Sequence, residues 1–432
     1  MEKFEKGKTL RDSFGRPIVI ESLIGSGGQG DVYKVTYDGR TMALKWYDPA
    51  KINDFDAFYR NLQKNVRKGS PDKAFLWPQA VTEKMDGSFG YIMEIGQDGF
   101  YDFTDILFSS TAPKFTSFKA VAEAGIRLVS AFRNLHKHGF SYQDINSGNF
   151  MINPKTGQVL ICDVDNVAPD GTHTGIIGTP QYMAPEIVLG KSMPNMHTDD
   201  FSLAVVLFIL LCANHPLEGK HWLTPCLTPA HEKKLYGSEA LFIFDPDNDE
   251  NRPVKGVHNN VIKRWRYMPK YIQDVFIKAF SQEAIKNPCR RVQELEWLKV
   301  LTRFQSDIVR CPECRNEIFI TDASDTKCDC CGKVYKVRHT LKLYEYSVTA
   351  AKNTMVYKCQ LGVCNTDEAL TTVGRIVTGK DNPDKLGFRN LTGETIIGIT
   401  PSGKVNKVAP GEVVPLKAGI VIKAFGGEIV IC

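Results

Sequence analysis

A glycine-rich segment near the amino terminus has the spacing of a phosphate-binding loop. Residues 25–30 read GSGGQG, which fits G-x-G-x-x-G, and they lie between two stretches of alternating apolar and polar residues. Backbone N–H groups can approach phosphate oxygens closely where no Cβ intrudes. The strand-to-strand context disfavours a dinucleotide-binding fold, in which the glycines open a helix, although an ordinary tight hairpin is an alternative. The candidate phosphate-binding glycines are Gly25, Gly27, Gly28 and Gly30.

A lysine follows this loop in the next predicted strand. Lys45 stands fifteen residues after Gly30, in the β-prone run RTMALKWY. Its compact ammonium charge can reach the α- and β-phosphates of a nucleotide. Lysine is common in strands, so Lys45 carries weight only together with the glycine loop.

Three polar side chains further along the chain offer oxygen ligands to a metal ion. Asp144 and Asn149 lie five residues apart in the segment YQDINSGN, and Asp163 follows fourteen residues after Asn149 at the end of a predicted strand. A hard cation such as Mg²⁺ prefers oxygen ligands, and it needs few from the protein where phosphates supply the others. Taken singly, each aspartate could instead cap a turn.

The segment GTPQYMAPE, residues 178–186, is a longer and more specific motif. These four motifs, in this order over residues 17–300, resemble the eukaryotic-like Ser/Thr protein kinase family. The resemblance implies transfer of the γ-phosphoryl of ATP to protein hydroxyls, including autophosphorylation. It also implies that Asp144 orients the substrate hydroxyl, that Lys45 contacts the phosphates, and that Asn149 and Asp163 bind Mg²⁺ or Mn²⁺.

The same resemblance assigns an adenine pocket and three structural positions. Met93 is similar to the family's gatekeeper, and Glu94, Ile95 and Gly96 are similar to its hinge. The apolar residues on either side of the adenine ring correspond to Val32, Ala43 and Met151. Asp199 resembles the buried aspartate that braces the catalytic loop. Glu186 and Arg291 resemble a structural ion pair of the larger lobe.

Several positions depart from the family pattern. The family's helix glutamate, which pairs with the lysine, has no counterpart because residues 53–67 contain no Glu, so the partner of Lys45 is open. Val164 and Asp165 replace the usual Phe-Gly, and Asp165 could serve a second metal or only cap a turn. A nucleotide-binding pseudokinase scaffold is therefore an alternative to an active kinase. A phosphotransferase for small molecules is a further alternative, disfavoured by the segment 178–186.

The dipeptide before Asp144 also departs from the family, since Tyr142 and Gln143 replace His-Arg. The family's arginine pairs with a phosphate on the activation loop, which a neutral glutamine cannot do. We therefore expect basal activity to be independent of phosphorylation at Thr172 or Thr174. Thr179, by contrast, is expected from the family to hydrogen-bond the catalytic aspartate.

Four cysteines have the spacing of a zinc ribbon. Cys311 and Cys314 form one CxxC pair, Cys328 and Cys331 form a second, and thirteen residues separate the pairs. This pattern favours a structural Zn²⁺, since four sulfurs leave no open position for catalysis. A contact with nucleic acid is an alternative role for the ribbon, because four basic residues lie near the cysteines: Arg310, Arg315, Lys327 and Lys333. No aromatic side chains are interleaved with them, which disfavours nucleic acid as a partner.

The periodicity of the chain predicts the elements that carry these motifs. Alternation over residues 17–46 predicts antiparallel strands, and apolar residues every three or four positions over 53–67 and 118–138 predict amphipathic helices. Residues 198–301 are expected to be mainly helical, and the short β-prone runs beyond 311 indicate an all-β module. The predicted class is α+β, with a bilobal protein-kinase fold followed by a zinc ribbon and a small all-β C-terminal domain. The predicted domains are 1–96 (kinase N-lobe), 97–304 (kinase C-lobe), 305–337 (zinc ribbon) and 338–432 (β-rich accessory domain).

A short motif and the bulk properties suggest a cellular context. The string FLWP at 75–78, with the ribbon and the β tail, is similar to kinases of bacterial tellurite-resistance-associated cassettes. There a kinase is encoded beside a PP2C-type phosphatase and a von Willebrand A-domain protein, which are the expected partners besides a protein substrate. The net charge of +5 over 432 residues is low for a nucleic-acid binder. The apolar run 201–213 is shorter than the roughly 20 residues of a spanning helix, and the charged start predicts no signal peptide, so we expect a cytoplasmic protein without a membrane contact.

Overall fold

The computed structural model describes residues 3–52, 54–172, 178–224, 226–321, 323–363, 368–379, 382 and 384–432. Thr174 lies outside the described residues. The chain divides into two compact units. The first comprises Met1–Lys114, Ala131–Arg264 and Ile277–Val292, and the second comprises Phe115–Ser130, Trp265–Phe276 and Gln293–Cys432.

The first unit opens on a six-stranded antiparallel sheet. Its strands are β1 (Thr9–Arg11), β2 (Pro17–Ser26), β3 (Gly30–Tyr37), β4 (Arg40–Tyr47), β5 (Ala80–Val81) and β6 (Gly90–Met93). Their spatial order is β1-β2-β3-β4-β6-β5. The antiparallel pairing of β2, β3 and β4 confirms the strands predicted over residues 17–46. Every second residue of β3, such as Tyr33 and Val35, is buried in one core, which is the two-residue period of a strand.

One helix packs beside this sheet, in agreement with the predicted amphipathic pattern. Helix α1 spans Phe55–Lys68, and the Asp54 side chain caps it by accepting a hydrogen bond from the Ala57 N–H at 2.9 Å. Phe58 and Leu62, one turn apart, are buried in a cluster with residues of β4 and β6. The FLWP motif contacts the same helix through a hydrogen bond, which the Trp77 indole donates to the carbonyl of Asn65 at 2.9 Å.

Residues 103–307, which belong partly to the first unit and partly to the second, are mainly helical. The helices from here to residue 307 are α2 (Phe103–Phe108), α3 (Phe118–Lys137), α4 (Pro185–Val188), α5 (Met196–Cys212), α6 (Pro229–Lys233), α7 (Asn259–Tyr267), α8 (Lys270–Ala279), α9 (Gln282–Lys286) and α10 (Glu294–Asp307). Two small antiparallel sheets use β7 (Tyr101–Asp102), β8 (Phe140–Ser141), β9 (Phe150–Ile152), β10 (Val159–Ile161) and β11 (Ala168–Pro169), in the orders β10-β9-β7 and β11-β8. Helix α5 is buried on all sides, as an apolar helix inside a globular core is. No helix among the described residues is both long enough and apolar enough to cross a bilayer.

Beyond α10, all in the second unit, the chain is built from strands. Two short hairpins pair β12 (Ile308–Arg310) with β13 (Glu317–Phe319) and β14 (Thr326–Lys327) with β15 (Val334–Tyr335). The remaining strands are β16 (Thr340–Lys342), β17 (Ser347–Thr349), β18 (Met355–Tyr357), β19 (Thr372–Thr378), β20 (Leu386–Asn390), β21 (Ile396–Ile399), β22 (Val405–Val408), β23 (Val413–Pro415), β24 (Val421–Ala424) and β25 (Gly427–Ile431). They form two sheets, β17-β16-β25-β24-β21-β22 and β18-β19-β20-β23, and a single apolar cluster takes buried residues from both.

Candidate active site

The lysine of β4 is buried and lies against two carboxylates. Lys45 Nζ donates to Asp165 Oδ2 at 2.8 Å, to Asp163 Oδ1 at 3.1 Å and to Gln29 Oε1 at 3.3 Å. Burial works against the charged ammonium, but the charges of Asp165 and Asp163 outweigh it and raise the pKa of Lys45 above its ordinary value. The lysine therefore stays charged and is held at the end of β10, beside the phosphate loop.

The partner that the sequence left open is Asp165. Its side chain is 0% exposed, and Oδ2 accepts a second hydrogen bond, at 2.5 Å, from the hydroxyl of Tyr47. Its other oxygen, Oδ1, is buried without a donor among the described residues. Helix α1 supplies no acid to the lysine, because its Asp56 contacts Lys84 instead. The sequence had suggested two roles for Asp165, a second metal ligand or a turn cap. Neither of them includes this direct contact with Lys45.

Asp163 and Asn149 approach the same place from neighbouring strand ends. Asp163 follows β10 with φ 47°, in the left-handed region that few residues other than glycine adopt, and its side chain is 45% exposed. Burial raises the pKa of Asp163; the charge of Lys45 opposes this shift and that of Asp165 adds to it. Asn149 Nδ2 donates to the carbonyl of Asp144 at 2.9 Å, and the Cys162 N–H donates to the carbonyl of Asn149 at 2.8 Å.

Asp144 lies in the loop between β8 and β9, where its carboxylate is oriented by neighbours. Oδ1 accepts from Asn146 Nδ2 at 3.1 Å and from the backbone N–H of Thr179 at 3.2 Å. The Thr179 contact was expected, and the structure assigns it to the main chain. Burial raises the pKa of Asp144, and both hydrogen bonds oppose that shift. A partly buried carboxylate of this kind is a stronger base than an exposed one and can take a hydroxyl proton.

A second aspartate holds the loop in shape. Asp199, on α5, accepts from the backbone N–H of Tyr142 at 2.7 Å and of Gln143 at 3.3 Å, and from His136 Nε2 at 3.1 Å. Gln143 has φ 70° and donates its side-chain amide to the carbonyl of Thr172 at 2.7 Å. The neutral side chain thus contacts the backbone of the activation segment without needing a phosphate.

Five of the seven residues proposed to surround adenine lie together in one apolar cluster, whereas the Glu94 side chain is exposed and lies 3.4 Å from Arg40. Ala43 and Met93 are buried there and face each other across β4 and β6, with Val32, Ile95 and Met151 packed against them. Gly96 lies over Met151, whose Sδ and Cε are each 3.6 Å from the place of an added Cβ. The structure therefore brings together residues that are as far apart as 32 and 151 in the sequence.

The glycine loop is a turn between β2 and β3. Gly25 pairs with Val32 at the strand ends, and the Gly27 N–H donates to the Gly30 carbonyl at 2.8 Å. A Cβ on Gly30 would lie 2.0 Å from the carbonyl oxygen of Trp46, so only glycine fits there. Gly25 and Gly28 face open space, which leaves room for a ligand over the loop.

The segment 178–186 is anchored at both ends. Arg291 Nη2 lies 2.7 Å from Glu186 Oε2, which confirms the predicted ion pair. Arg291 also donates to the carbonyl of His197 at 2.7 Å. Tyr182 hydrogen-bonds Ser147 of the catalytic loop at 2.7 Å.

Sequence reasoning missed the contact of Asp165 with both Lys45 and Tyr47. A signal was present, because Tyr47 stands two positions after Lys45 in a strand, where side chains share a face. Asp165 stands two positions after Asp163, and an extra carboxylate coincided with a missing glutamate. The contact itself joins residues 120 positions apart, which no local pattern specifies.

The four cysteines of the second unit converge. Cys311 Sγ lies 3.6 Å from Cys331 Sγ, Cys314 Sγ lies 3.6 Å from Cys328 Sγ, and all four sulfurs lie within 4.8 Å of one another. Sulfurs about 2.3 Å from a tetrahedral zinc are roughly 3.8 Å apart. The donor set therefore fits a zinc ion in both chemistry and size.

Known proteins similar to this chain are kinases. Residues 18–232 match the protein kinase domain family. The chain is 29% identical over 239 residues to a probable serine/threonine-protein kinase, CE0033, of Corynebacterium efficiens, covering 52% of this chain and 35% of that protein. It is 27% identical over 213 residues to the probable serine/threonine-protein kinase PknB of Corynebacterium glutamicum, covering 46% of this chain and 32% of that protein. The chain thus spans about a third of the length of these relatives.

A crystal structure of the kinase domain of Mycobacterium tuberculosis PknI aligns with 69% of this chain and 98% of its own, at 17% identity and a TM-score of 0.47. That likeness is too low to add to the assignment, which depends on the family match and the named relatives. These agree with the order of the motifs and with the geometry around Lys45 and Asp144. The family match over residues 18–232 and the names of these relatives therefore support a protein kinase domain of the eukaryotic-like serine/threonine class in this part of the chain.

Proposed function

We propose that this chain is an active serine/threonine protein kinase that transfers the γ-phosphoryl of ATP to protein hydroxyls, its own included. The observation that carries the proposal is the charged Lys45, held at 2.8 and 3.1 Å by two carboxylates. This arrangement keeps an ammonium available for the α- and β-phosphates of ATP. Asp144 accepts or orients the proton of the attacking hydroxyl.

Asn149 and Asp163 would hold Mg²⁺ or Mn²⁺. The ion would neutralise charge that develops on the phosphates, which is the chemistry it supplies to phosphoryl transfer. The carboxylate of Asp163 is exposed enough to meet a ligand, and the amide of Asn149 is tied to the Asp144 loop. The adenine ring would lie between Val32, Ala43 and Met151, as the apolar cluster allows.

The pseudokinase alternative drew its support from the missing helix glutamate. Asp165 supplies a carboxylate to Lys45 from another element, so that objection loses its physical basis. A small-molecule phosphotransferase would not need the anchored segment 178–186, which in kinases shapes a groove for protein substrates. An active protein kinase is the reading that uses all these features.

The test is autophosphorylation of the purified chain with labelled ATP and magnesium. Asp144→Ala and Asp163→Ala are each expected to abolish transfer while circular dichroism shows an intact fold. Asp274→Asn is a matched control, because this aspartate lies exposed on α8 and forms an exposed ion pair with Lys270. Transfer at the wild-type rate in either active-site variant would overturn the assigned roles.

For the second unit, we propose a structural zinc ion bound by Cys311, Cys314, Cys328 and Cys331, within a zinc ribbon at 305–337. The support is the match between the sulfur spacing and a tetrahedral zinc–thiolate site. Residues 338–432 then form a small all-β domain for recognition or docking, and the kinase lobes occupy 1–96 and 97–304. A cytoplasmic location is proposed on the same basis, because metal-binding thiolates need reducing surroundings.

The narrower proposal is a place in a bacterial tellurite-resistance-associated signalling cassette. Its support is the FLWP motif, whose residues contact two other elements. The Leu76 N–H donates to the carbonyl of Ile161 at 2.9 Å, and the Trp77 indole donates to the carbonyl of Asn65 on α1. The partners are then a PP2C-type phosphatase and a von Willebrand A-domain protein. Co-purification of the tagged chain with either protein is the test of this assignment.

A further inference from the structure

The strands β12 to β15 and the turns that carry the four cysteines, residues 308–321 and 323–335, are called the cysteine clip here. A cavity of about 680 Å³ opens in the second unit, among the start of α3, the cysteine clip and the loop before β18. Four cations line it, and they are Lys119, Arg310, Arg315 and Lys352. None of the four forms an ion pair within the described part of the chain. For a chain with a net charge of only +5, this is a local concentration of positive charge.

The acidic side chains nearby are already engaged. Glu123 also lines the cavity, but Oε1 lies 2.7 Å from Arg127 Nη2 and Oε2 accepts from Gln305 at 2.8 Å. Glu317 accepts hydrogen bonds from the N–H groups of Phe118 and Lys119 at the start of α3, at 2.6 and 3.4 Å. These backbone contacts leave the charge of Glu317 in place, and it lies opposite Arg310 in the β12–β13 pair. Burial lowers the pKa of Lys119, and the charge of Glu317 opposes that shift. The lining itself still holds four cations against one carboxylate, Glu123, which is paired with Arg127.

Arg315 stands at a backbone position that suits glycine. The two CxxC turns, residues 311–315 and 328–332, share one geometry. Arg315 donates its N–H to the Cys311 carbonyl at 3.1 Å, and Gly332 donates its N–H to the Cys328 carbonyl at 2.8 Å. Arg315 has φ 63° and Gly332 has φ 73°, in the left-handed region where a Cβ is unfavourable. The CxxC turn that borders the cavity thus carries arginine where the other CxxC turn carries glycine. A side chain kept at an unfavourable backbone conformation indicates a binding role for Arg315.

We propose that this cavity binds a phosphorylated segment of a protein. Guanidinium groups bind phosphate oxygens through paired charge-assisted hydrogen bonds, and clusters of arginine and lysine are a common means of phosphopeptide recognition. Half-buried Tyr335 and Tyr357 line the same cavity and offer surfaces for the flanking residues. The choice of a phosphoprotein over other polyanions rests on the proposed function, because a kinase domain on the same chain produces phosphoserine and phosphothreonine.

The test is fluorescence anisotropy with the full chain and no ATP. Three labelled probes are compared, namely a degenerate peptide with central phosphothreonine, the same peptide with threonine, and a twelve-nucleotide oligothymidine. We expect the phosphopeptide to bind at least tenfold more tightly than either of the other probes. Equal affinity for the two peptides would refute the proposal, and tighter binding of the oligothymidine would assign the cavity to nucleic acid instead.

The variant is Arg310→Gln with Arg315→Gly, and its matched control is Lys327→Gln with Lys333→Gln. The control cations belong to the same clip but do not line the cavity. We expect only the first pair to remove the preference for phosphopeptide, with no fall in Tm, since glycine suits position 315. Equal effects of the two pairs would contradict the assignment of this site.

Autophosphorylation is measured on the same preparations, so that the two proposals fail separately. An inactive chain that still prefers phosphopeptide supports the cavity and counts only against the kinase activity. An active chain without the preference overturns only the cavity.

Discussion

Replacing Asp165 with asparagine is expected to lower kcat/KM for phosphoryl transfer about 100-fold in a chain that still folds. The substitution keeps the volume of the side chain but removes the charge that lies 2.8 Å from Lys45 Nζ in a fully buried position. Lys45 keeps its second partner, Asp163, at 3.1 Å. The ammonium is then free to lean toward Asp163 and away from the position that suits the phosphates.

The size of the effect follows from the burial of the pair. Removing one partner of a buried ion pair costs about 3 to 5 kcal/mol. That cost is a loss of folding stability, which the remaining carboxylate and the retained shape keep near the lower end of the range. It affects the rate only as far as Lys45 is displaced from the phosphates, and the 100-fold fall in kcat/KM that we expect corresponds to about 3 kcal/mol of transition-state stabilisation. Tyr47→Phe removes only the hydroxyl that donates to Asp165, so we expect a smaller loss, about tenfold or less, from one hydrogen bond.

The assay is steady-state phosphorylation of a generic protein substrate at varied ATP, with thermal melting as the folding control. Lys45→Met is measured alone and together with Asp165→Asn. If Asp165 acts through the lysine, the second substitution adds little once the lysine is gone, and the two effects are strongly non-additive. Asp274→Asn is again the exposed-carboxylate control.

Two results would refute this reasoning. One is wild-type kcat/KM for Asp165→Asn, which would mean that Asp163 alone positions the lysine. The other is fully additive losses in the double variant, which would mean that Asp165 acts on something other than Lys45, for example through its unbonded Oδ1.

Three further predictions concern the clip, the catalytic aspartate and the activation segment. Elemental analysis is expected to find one zinc per chain, lost with local unfolding in Cys311→Ser or Cys328→Ser, and a metal-free protein purified without chelator would contradict this. Burial raises the folded-state pKa of Asp144 above its unfolded value, so the charged carboxylate destabilises the fold at neutral pH. Asp144→Asn should therefore raise Tm at pH 7, and the gain should disappear as pH falls below about 4, where the wild-type carboxyl is protonated in both states. An unchanged Tm at pH 7 would argue against this prediction. The double variant Thr172→Ala, Thr174→Ala should retain activity on an exogenous substrate after phosphatase treatment, and a fall of about tenfold, roughly 1.4 kcal/mol, would show that a basic residue other than Gln143 reads a phosphate.

Many strands and helices could be predicted from local patterns. The alternation over residues 17–46 became β2, β3 and β4, and the three-to-four periodicity became α1 and α3, because side-chain direction repeats every 2 or 3.6 residues regardless of the rest of the fold. The pair Glu186 and Arg291 was also predicted, since it belongs to a motif with fixed partners. Helix α1 begins at Phe55, two residues later than the pattern suggested, where Asp54 provides the cap.

The site was predictable in its members but not in all its contacts. Lys45, Asp144, Asn149 and Asp163 stand in an order that indicates phosphoryl transfer without any coordinates. The hydrogen bond from residue 179 was expected as well, yet only the structure shows that the main chain donates it. A backbone donor carries no sequence signature, because every residue except proline has one.

The amino-acid sequence by itself determined the kinase motifs, their order, and the metal-binding spacing of the cysteines, since each depends on residues close together in the chain. Tertiary structure alone decided that Lys45 and Tyr47 both donate to the buried carboxylate of Asp165, and that Lys119 and Lys352 join Arg310 and Arg315 around one cavity. Lys45 and Asp165 are 120 positions apart, and Lys119 and Arg315 are nearly 200 apart. Contacts at such separations are set by how whole elements pack, because a buried charge is stable only where the fold places an opposite charge beside it.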